Sequence, residues 1–173
     1  VEECMLSANL CAAQTLEKSL NRAVYRVHQA PSSQDLKHLR QVLQRFGLTL
    51  AGGQTPNILD LNNTLSAARE TLGRGQWVEG LVLRTLKQAR YDSTVAPHFA
   101  LGFDCYTHFT SPIRRYPDLV VHRLIKKILG YDRSIHVNAT NDELADVGVY
   151  CSTAERRSES AERTVSSCYK AQF

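Results

Sequence analysis

His108-Phe109-Thr110-Ser111-Pro112-Ile113-Arg114-Arg115-Tyr116-Pro117-Asp118-Leu119-Val120-Val121-His122-Arg123 joins two halves of opposite character. The first half crowds polar residues between prolines. Thr110 and Ser111 before Pro112 are the residue types of a helix or turn start, where unpaired backbone N–H groups and the positive end of a dipole favour an anion. Pro117 bars a regular helix from running back through Arg114, because it lacks an N–H and its ring clashes with the preceding turn. Arg114 and Arg115 are therefore expected in a constrained turn. A guanidinium held there suits a phosphate, since its planar fork offers two parallel hydrogen bonds and it stays charged at any working pH. The second half is amphipathic. From Asp118 to Leu129, Val121, Leu124, Ile125 and Ile128 are apolar while His122, Arg123, Lys126 and Lys127 are polar, and Gly130 stands at the stop.

Upstream of this unit, Met5, Leu6, Ala8, Ala12, Ala13, Leu16 and Leu20 recur at helical spacing and predict a helix from Glu2 to about Leu20. Cys4 and Cys11 fall on that helix and read as small core residues. Ala23–His28, rich in β-branched and aromatic side chains and stopped by Pro31, predicts a strand or extended segment. Ser32-x-x-Asp35 resembles a capping box opening a second helix with Leu36, Leu39, Leu43 and Phe46 on its apolar stripe and Gly47 at its end. Thr55-Pro56 predicts the start of a third helix, closed by Gly73. Trp77 to Ala89 reads as a fourth, weakened by Gly80. His98 to Thr110 is aromatic and bends at Gly102, as two short strands or an extended bend would.

Downstream, Thr140-x-x-Glu143 is another capping box, and Leu144, Val147, Cys151, Ala154, Ser158, Ala161, Val165 and Cys168 follow at alternating steps of about three and four. One long helix is expected, its small facing residues lying close against neighbouring backbone. The fold class is thus α+β: a helix-dominated mixed fold with a few short strands.

The chain has 173 residues, 43% of them hydrophobic, enough for one globular domain with a real core. No apolar run approaches the roughly 20 residues of a membrane span, so the reading is a soluble protein with no membrane partner. Cys4, Cys11, Cys105, Cys151 and Cys168 are five cysteines without a C-x-x-C pair, which points away from zinc and disulfides and toward a reducing, cytoplasmic setting. The formal net charge of +4 permits a polyanionic partner without requiring one. His28, His98, His108 and His122 are not spaced as a metal set. Neither an initiator Met nor a signal peptide precedes Val1, and an internal start is the expectation.

HFTSPIRRYPDLVVHR resembles the signature segment of the ribonuclease II and ribonuclease R family. Val1–Asn9, Tyr25–His28 and Ala161–Arg163 resemble family segments in the same order, and the Arg-Arg-Tyr-Pro form is similar to the ribonuclease R branch. The resemblance implies that residues 1–173 are the C-terminal part of an RNB-type catalytic domain in a protein that is a monomer at full length. It implies hydrolytic 3′ to 5′ degradation of single-stranded RNA to nucleoside 5′-monophosphates by two-metal-ion catalysis. The Mg2+ ligands are expected upstream of Val1 and not within the chain, so the fragment alone is expected to be inactive. Arg114 is implied to carry the catalytic role, stabilising charge on the scissile phosphate. Glu2 is implied to contact the ribose near the 3′ end, a role suited to an acceptor facing the 2′-OH. Glu162 is implied near the terminal nucleotide, and Tyr116 in the same pocket.

Without that resemblance, an Arg-Arg pair in a turn reads as a solvated or ion-paired surface, and Glu2 and Glu162 as solvated helix positions. Two readings stay open for Arg115: contact with RNA, or an ion pair with a carboxylate such as Asp118. Phe99, Phe103, Tyr106 and Phe109 could stack bases, but core packing is the simpler reading. Two other functional readings stand beside the enzyme: a non-catalytic RNA-binding member of the family, and a helical interaction module.

Overall fold

The computed structural model describes residues 1–20, 22–72, 75–131 and 140–172. Its elements in chain order are α1 (Glu2–Leu20), β1 (Tyr25–Val27), α2 (Ser33–Gln44), α3 (Ile58–Leu72), α4 (Gly75–Thr85), β2 (Arg90–Asp92), a 3₁₀ turn (Phe99–Leu101), α5 (Tyr116–Ile128) and α6 (Asn141–Gln172). The class is the expected helix-dominated α+β. The chain divides into two compact units: residues 1–27, 90–96 and 105–173 form the first, and 28–89 with 97–104 form the second.

In the first unit α1 buries Asn9, Ala12, Ala13 and Leu16, positions that share one helical face, against α5, which buries Val120, Val121 and Leu124. Each large aliphatic side chain removed from water here contributes about 1.5–3 kcal/mol. Glu2 and Glu3 in the first turn of α1 and Lys18 in the last complement the helix dipole. The antiparallel ribbon pairs Tyr25 with Asp92, Arg26 with Tyr91 and Val27 with Arg90. β2 lay hidden from periodicity, because Arg-Tyr-Asp has charge at both ends and one apolar residue; the sequence reading carried the fourth helix to Ala89 instead.

α6 starts at the expected box: the Glu143 N–H donates to Thr140 Oγ1 at 3.2 Å and the Thr140 N–H to Glu143 Oε2 at 2.7 Å. Its close approach to backbone holds at Gly148, where an added Cβ would lie 3.0 Å from the Tyr91 carbonyl oxygen. Ser152 Oγ accepts from the Tyr91 N–H at 2.9 Å and donates to the Gly148 carbonyl at 2.7 Å. The expected packing does not continue. Ala154, Ser158, Ala161, Val165 and Cys168 are exposed, as are Cys4 and Cys11 of α1, so their spacing marks helices and not core positions.

The second unit packs Leu39 and Leu43 of α2, Leu61 and Ala68 of α3, and Val78 and Val82 of α4 into its own core. Ser32 caps α2 as read, accepting from the Asp35 N–H at 3.2 Å. Its Phe46, expected on the apolar stripe, is an exposed side chain whose ring lies 4.3 Å from that of Trp77. α3 begins two residues later than the Thr55-Pro56 reading, because Asn57 and Asp60 form the reciprocal pair, each donating its backbone N–H to the other's side chain at 2.9 Å. Gly73, the expected stop, lies outside the described residues. In place of the expected strands or extended bend, Phe99–Leu101 make a 3₁₀ turn flanked by the isolated bridges His28–His98 and His98–Phe103, and Gly102 ends it with the left-handed φ of 69° that a side chain would resist. His28 donates its Nε2–H to the Lys87 carbonyl and accepts the Ala100 N–H on Nδ1 at 3.0 Å, so both ring nitrogens serve structure.

Candidate functional site

The signature segment lies in the first unit and is fastened residue by residue. The Arg26 N–H donates to the Tyr106 carbonyl at 2.8 Å, and Thr107 Oγ1 donates to the Val24 carbonyl at 2.6 Å. Asn9 reaches from α1 with both ends of its amide. Its Nδ2 donates to the Tyr106 hydroxyl at 2.8 Å, and its Oδ1 accepts the Phe109 and Thr110 N–H groups at 2.9 and 3.2 Å. From α5, His122 donates Nε2–H to the Phe109 carbonyl at 2.8 Å and stacks on the Phe109 ring at 4.2 Å.

Residues 112–114 then turn, with the Arg114 and Arg115 N–H groups both donating to the Ser111 carbonyl, at 3.3 and 3.1 Å. Pro117 sits in the first turn of α5, the one place in a helix where its missing N–H costs nothing. Arg115 lies against Asp118, a fully buried carboxylate that accepts its Nε–H at 2.9 Å and its Nη2–H at 2.8 Å. Of the two readings left open for Arg115, the ion pair is therefore present. Arg114 is exposed and has no charged partner among the described residues.

Arg114, Arg115 and Tyr116 line a cavity of about 480 Å³ together with Tyr91, Tyr150 and Glu162. Glu162 and Arg114, far apart in sequence, are thereby on one wall system. Glu2 is elsewhere: it lines a neighbouring cavity of about 410 Å³ with Asn9, His108 and Thr110. Arg115 borders both cavities. The first of them combines a donor-only cation with acceptor-only carboxylates, a set that matches a group carrying both an anion and hydroxyls.

Tyr91, Tyr150 and Asn9 are site-building residues that sequence reasoning did not single out, whereas Asp118 was named there as a carboxylate for Arg115. Tyr91 is the most connected. Its hydroxyl is hydrogen-bonded to His108 Nδ1 at 2.9 Å, and the Arg26 guanidinium lies 4.7 Å over its ring while bonding Glu155 of α6 at 2.6 Å. Burial pushes its phenol up to about 12 despite the opposing pull of Arg26, so it remains a neutral hydrogen-bonding group at working pH. No group of three or more His, Cys, Asp or Glu side chains among the described residues could hold a metal ion. The acids around the signature turn do not fit a Mg2+ site: Asp118 and Glu155 are committed to arginines, and Glu159 and Glu162, which share the Arg114 cavity, belong to no metal-holding group among the described residues.

The family model described as "RNB domain" matches residues 1–131. The chain belongs to the RNB-domain family. The resemblance carried by HFTSPIRRYPDLVVHR thus holds, and the match extends over more than the signature. The RNB chain is 38% identical to ribonuclease R of Escherichia coli over 181 aligned residues, covering 100% of this chain and 22% of that protein. It is 34% identical to ribonuclease R of Thermotoga maritima, covering 94% of this chain and 23% of that protein. The chain therefore spans between a fifth and a quarter of these curated relatives. Among solved structures, Mycoplasma genitalium RNase R in complex with ribose methylated single-stranded RNA superposes with a TM-score of 0.83 at 29% identity, over 94% of this chain and 26% of that one. Yeast Ssd1, described as a pseudonuclease, superposes with a TM-score of 0.74 at 25% identity, over 87% of this chain and 18% of that one. No described helix is long and apolar enough to cross a membrane.

Proposed function

We propose that this RNB segment is the C-terminal part of the catalytic domain of a cytoplasmic exoribonuclease that hydrolyses single-stranded RNA from its 3′ end. The observation that carries this reading is the cavity where Arg114, on the signature turn, and Glu162, on α6, face the same space. A terminal nucleotide has a phosphodiester anion and free ribose hydroxyls, and this cavity has a partner for each. Arg114 donates to the scissile phosphate and stabilises the charge that grows there. Glu162 accepts from the terminal sugar, Tyr116 packs beside it, and Glu2, one cavity away, takes the ribose contact that selects RNA. Arg115 acts by walling both cavities from its ion pair with Asp118.

Two-metal hydrolysis with Mg2+ is the expected chemistry of the complete domain, activating water at the terminal linkage. The described residues offer no ligand set for it, and the role assigned to this segment ends at holding and polarising the RNA terminus. The likeness to a pseudonuclease favours a second reading, in which the same cavity holds a 3′ end without cleaving it.

Steady-state turnover of the intact protein on single-stranded RNA with Mg2+ separates the two. The first reading expects release of nucleoside 5′-monophosphates, and a loss of about 10²–10³-fold in kcat for Arg114→Ala. Wild-type turnover by a folded Arg114→Ala protein removes the assigned role, and binding of a 3′ end with no turnover by the wild type selects the second reading.

A further inference from the structure

We propose that Asp118 is the positioning residue that gives the two adjacent arginines separate tasks, holding Arg115 inside the fold so that Arg114 alone meets the substrate. The proposal rests on the reading of Arg114 given above and extends it to a residue that touches no substrate. Asp118 is fully buried and accepts three hydrogen bonds: two from the Arg115 guanidinium and one from the Ser111 N–H at 2.8 Å. Ser111 in turn accepts the backbone N–H groups of Arg114 and Arg115. These bonds close a circuit in which both ends of the turn are tied to a single carboxylate.

The circuit has a consequence for charge as well as for shape. A carboxylate stripped of water must be compensated, and the planar fork of Arg115 does so with two near-parallel bonds. Two of the five N–H donors of Arg115 are then committed to Asp118, which fixes its guanidinium in place where it borders both cavities. Arg114 is left as the exposed cation of the pair, at the tip of a turn whose geometry Asp118 fixes. Displacing a charge-stabilising group by about 1 Å costs on the order of a hundredfold in rate. Loss of the Asp118 charge would both release Arg115 and loosen the Ser111 anchor.

The test measures kcat and KM on single-stranded RNA, with melting temperature, for the intact protein and its variants. Asp118→Asn keeps the side-chain size and an acceptor for Ser111, and is expected to lower kcat by at least about tenfold while KM moves less than about threefold. Arg115→Lys, which keeps charge but gives up the fork, should lower kcat in the same sense, and serves alone if Asp118→Asn does not fold. An Asp118→Asn, Arg115→Gln double variant should be no slower than Asp118→Asn, because both changes break one device. Wild-type kcat in a folded Asp118→Asn protein, or in folded Arg115→Lys, overturns the proposal. If Arg114→Ala is also at wild-type turnover, the parent reading falls with it; if Arg114→Ala alone is slow, only the positioning role falls.

Discussion

Tyr25 is fully buried, and its hydroxyl has no hydrogen-bond partner among the described residues, whereas the Tyr91 hydroxyl meets His108. The same substitution should therefore have opposite signs at the two positions. Tyr25→Phe removes an unsatisfied polar atom and should raise stability by about 1 kcal/mol at neutral pH, while Tyr91→Phe should lower it by about 1 kcal/mol. Urea unfolding midpoints of the two variants check this, and equal shifts of one sign would refute it. Burial holds both phenols near 12, with the Glu17 carboxylate adding to the effect at Tyr25. The unfolded chain releases these protons first, from about pH 10. Stability present below pH 10 should thus fall between pH 10 and 12, less steeply in either Phe variant. At this scale the site was only partly legible. Arg114 and Arg115 stood out because polarity between prolines is unusual in one chain segment. Tyr91 and Asn9 did not, since their partners lie 17 and 97 or more residues away and nothing in their own neighbours signals them.

Glycine shows what each helix demands as an element. Gly80 in α4 has nothing within 4 Å of the position a Cβ would take, while Gly148 in α6 would set its Cβ 3.0 Å from the Tyr91 carbonyl oxygen. Helix propensity alone favours alanine at both by about 1 kcal/mol. Gly80→Ala should realise that gain. Gly148→Ala should lose stability instead, because the backbone it meets is held by pairing with Arg26 and by the Ser152 hydroxyl and has no slack to give. Chemical denaturation of the two variants measures the contrast; a Gly148→Ala protein as stabilised as Gly80→Ala would show that α6 can move off the ribbon. Helix existence was readable from spacing and caps, as Ser32 and Thr140 show. The starting residue of α3 was not, because Thr55-Pro56 and Asn57-x-x-Asp60 are competing signals and only the second closes two hydrogen bonds. β2 was not legible either: its pairing with Tyr25–Val27 comes from strand β1, not from its own residues.

On the scale of the whole molecule, a net charge of +4 over 173 residues exerts little long-range pull on a polyanion, so recognition has to come from the local geometry of the Arg114 cavity. That geometry depends on α6 keeping its course as far as Glu162. The helix is anchored by Leu144, Gly148, Cys151 and Ser152, then by the ion pair of Glu155 with Arg26, whose side chains are 30% and 12% exposed. Beyond it, residues 160–172 are exposed throughout, and the Arg163–Glu159 pair at 3.7 Å is too solvated to hold much. Helices of fewer than about 12–15 residues are marginal in water without tertiary packing. In the 173-residue chain, amides from about Leu144 to Glu155 should therefore exchange hydrogen slowly and those after about Glu159 orders of magnitude faster, with a step and not a gradual slope at the Glu155 anchor. Neutralising the anchor by Glu155→Gln should move the step toward Cys151. A single-stranded RNA 3′ end that occupies the cavity should slow exchange around Glu162, since Glu162 can engage it only while the helix is intact. Hydrogen exchange read by mass spectrometry resolves these outcomes: uniform protection along α6 would mean that the helix holds Glu162 in place unaided, and unchanged exchange with RNA bound would separate Glu162 from the substrate.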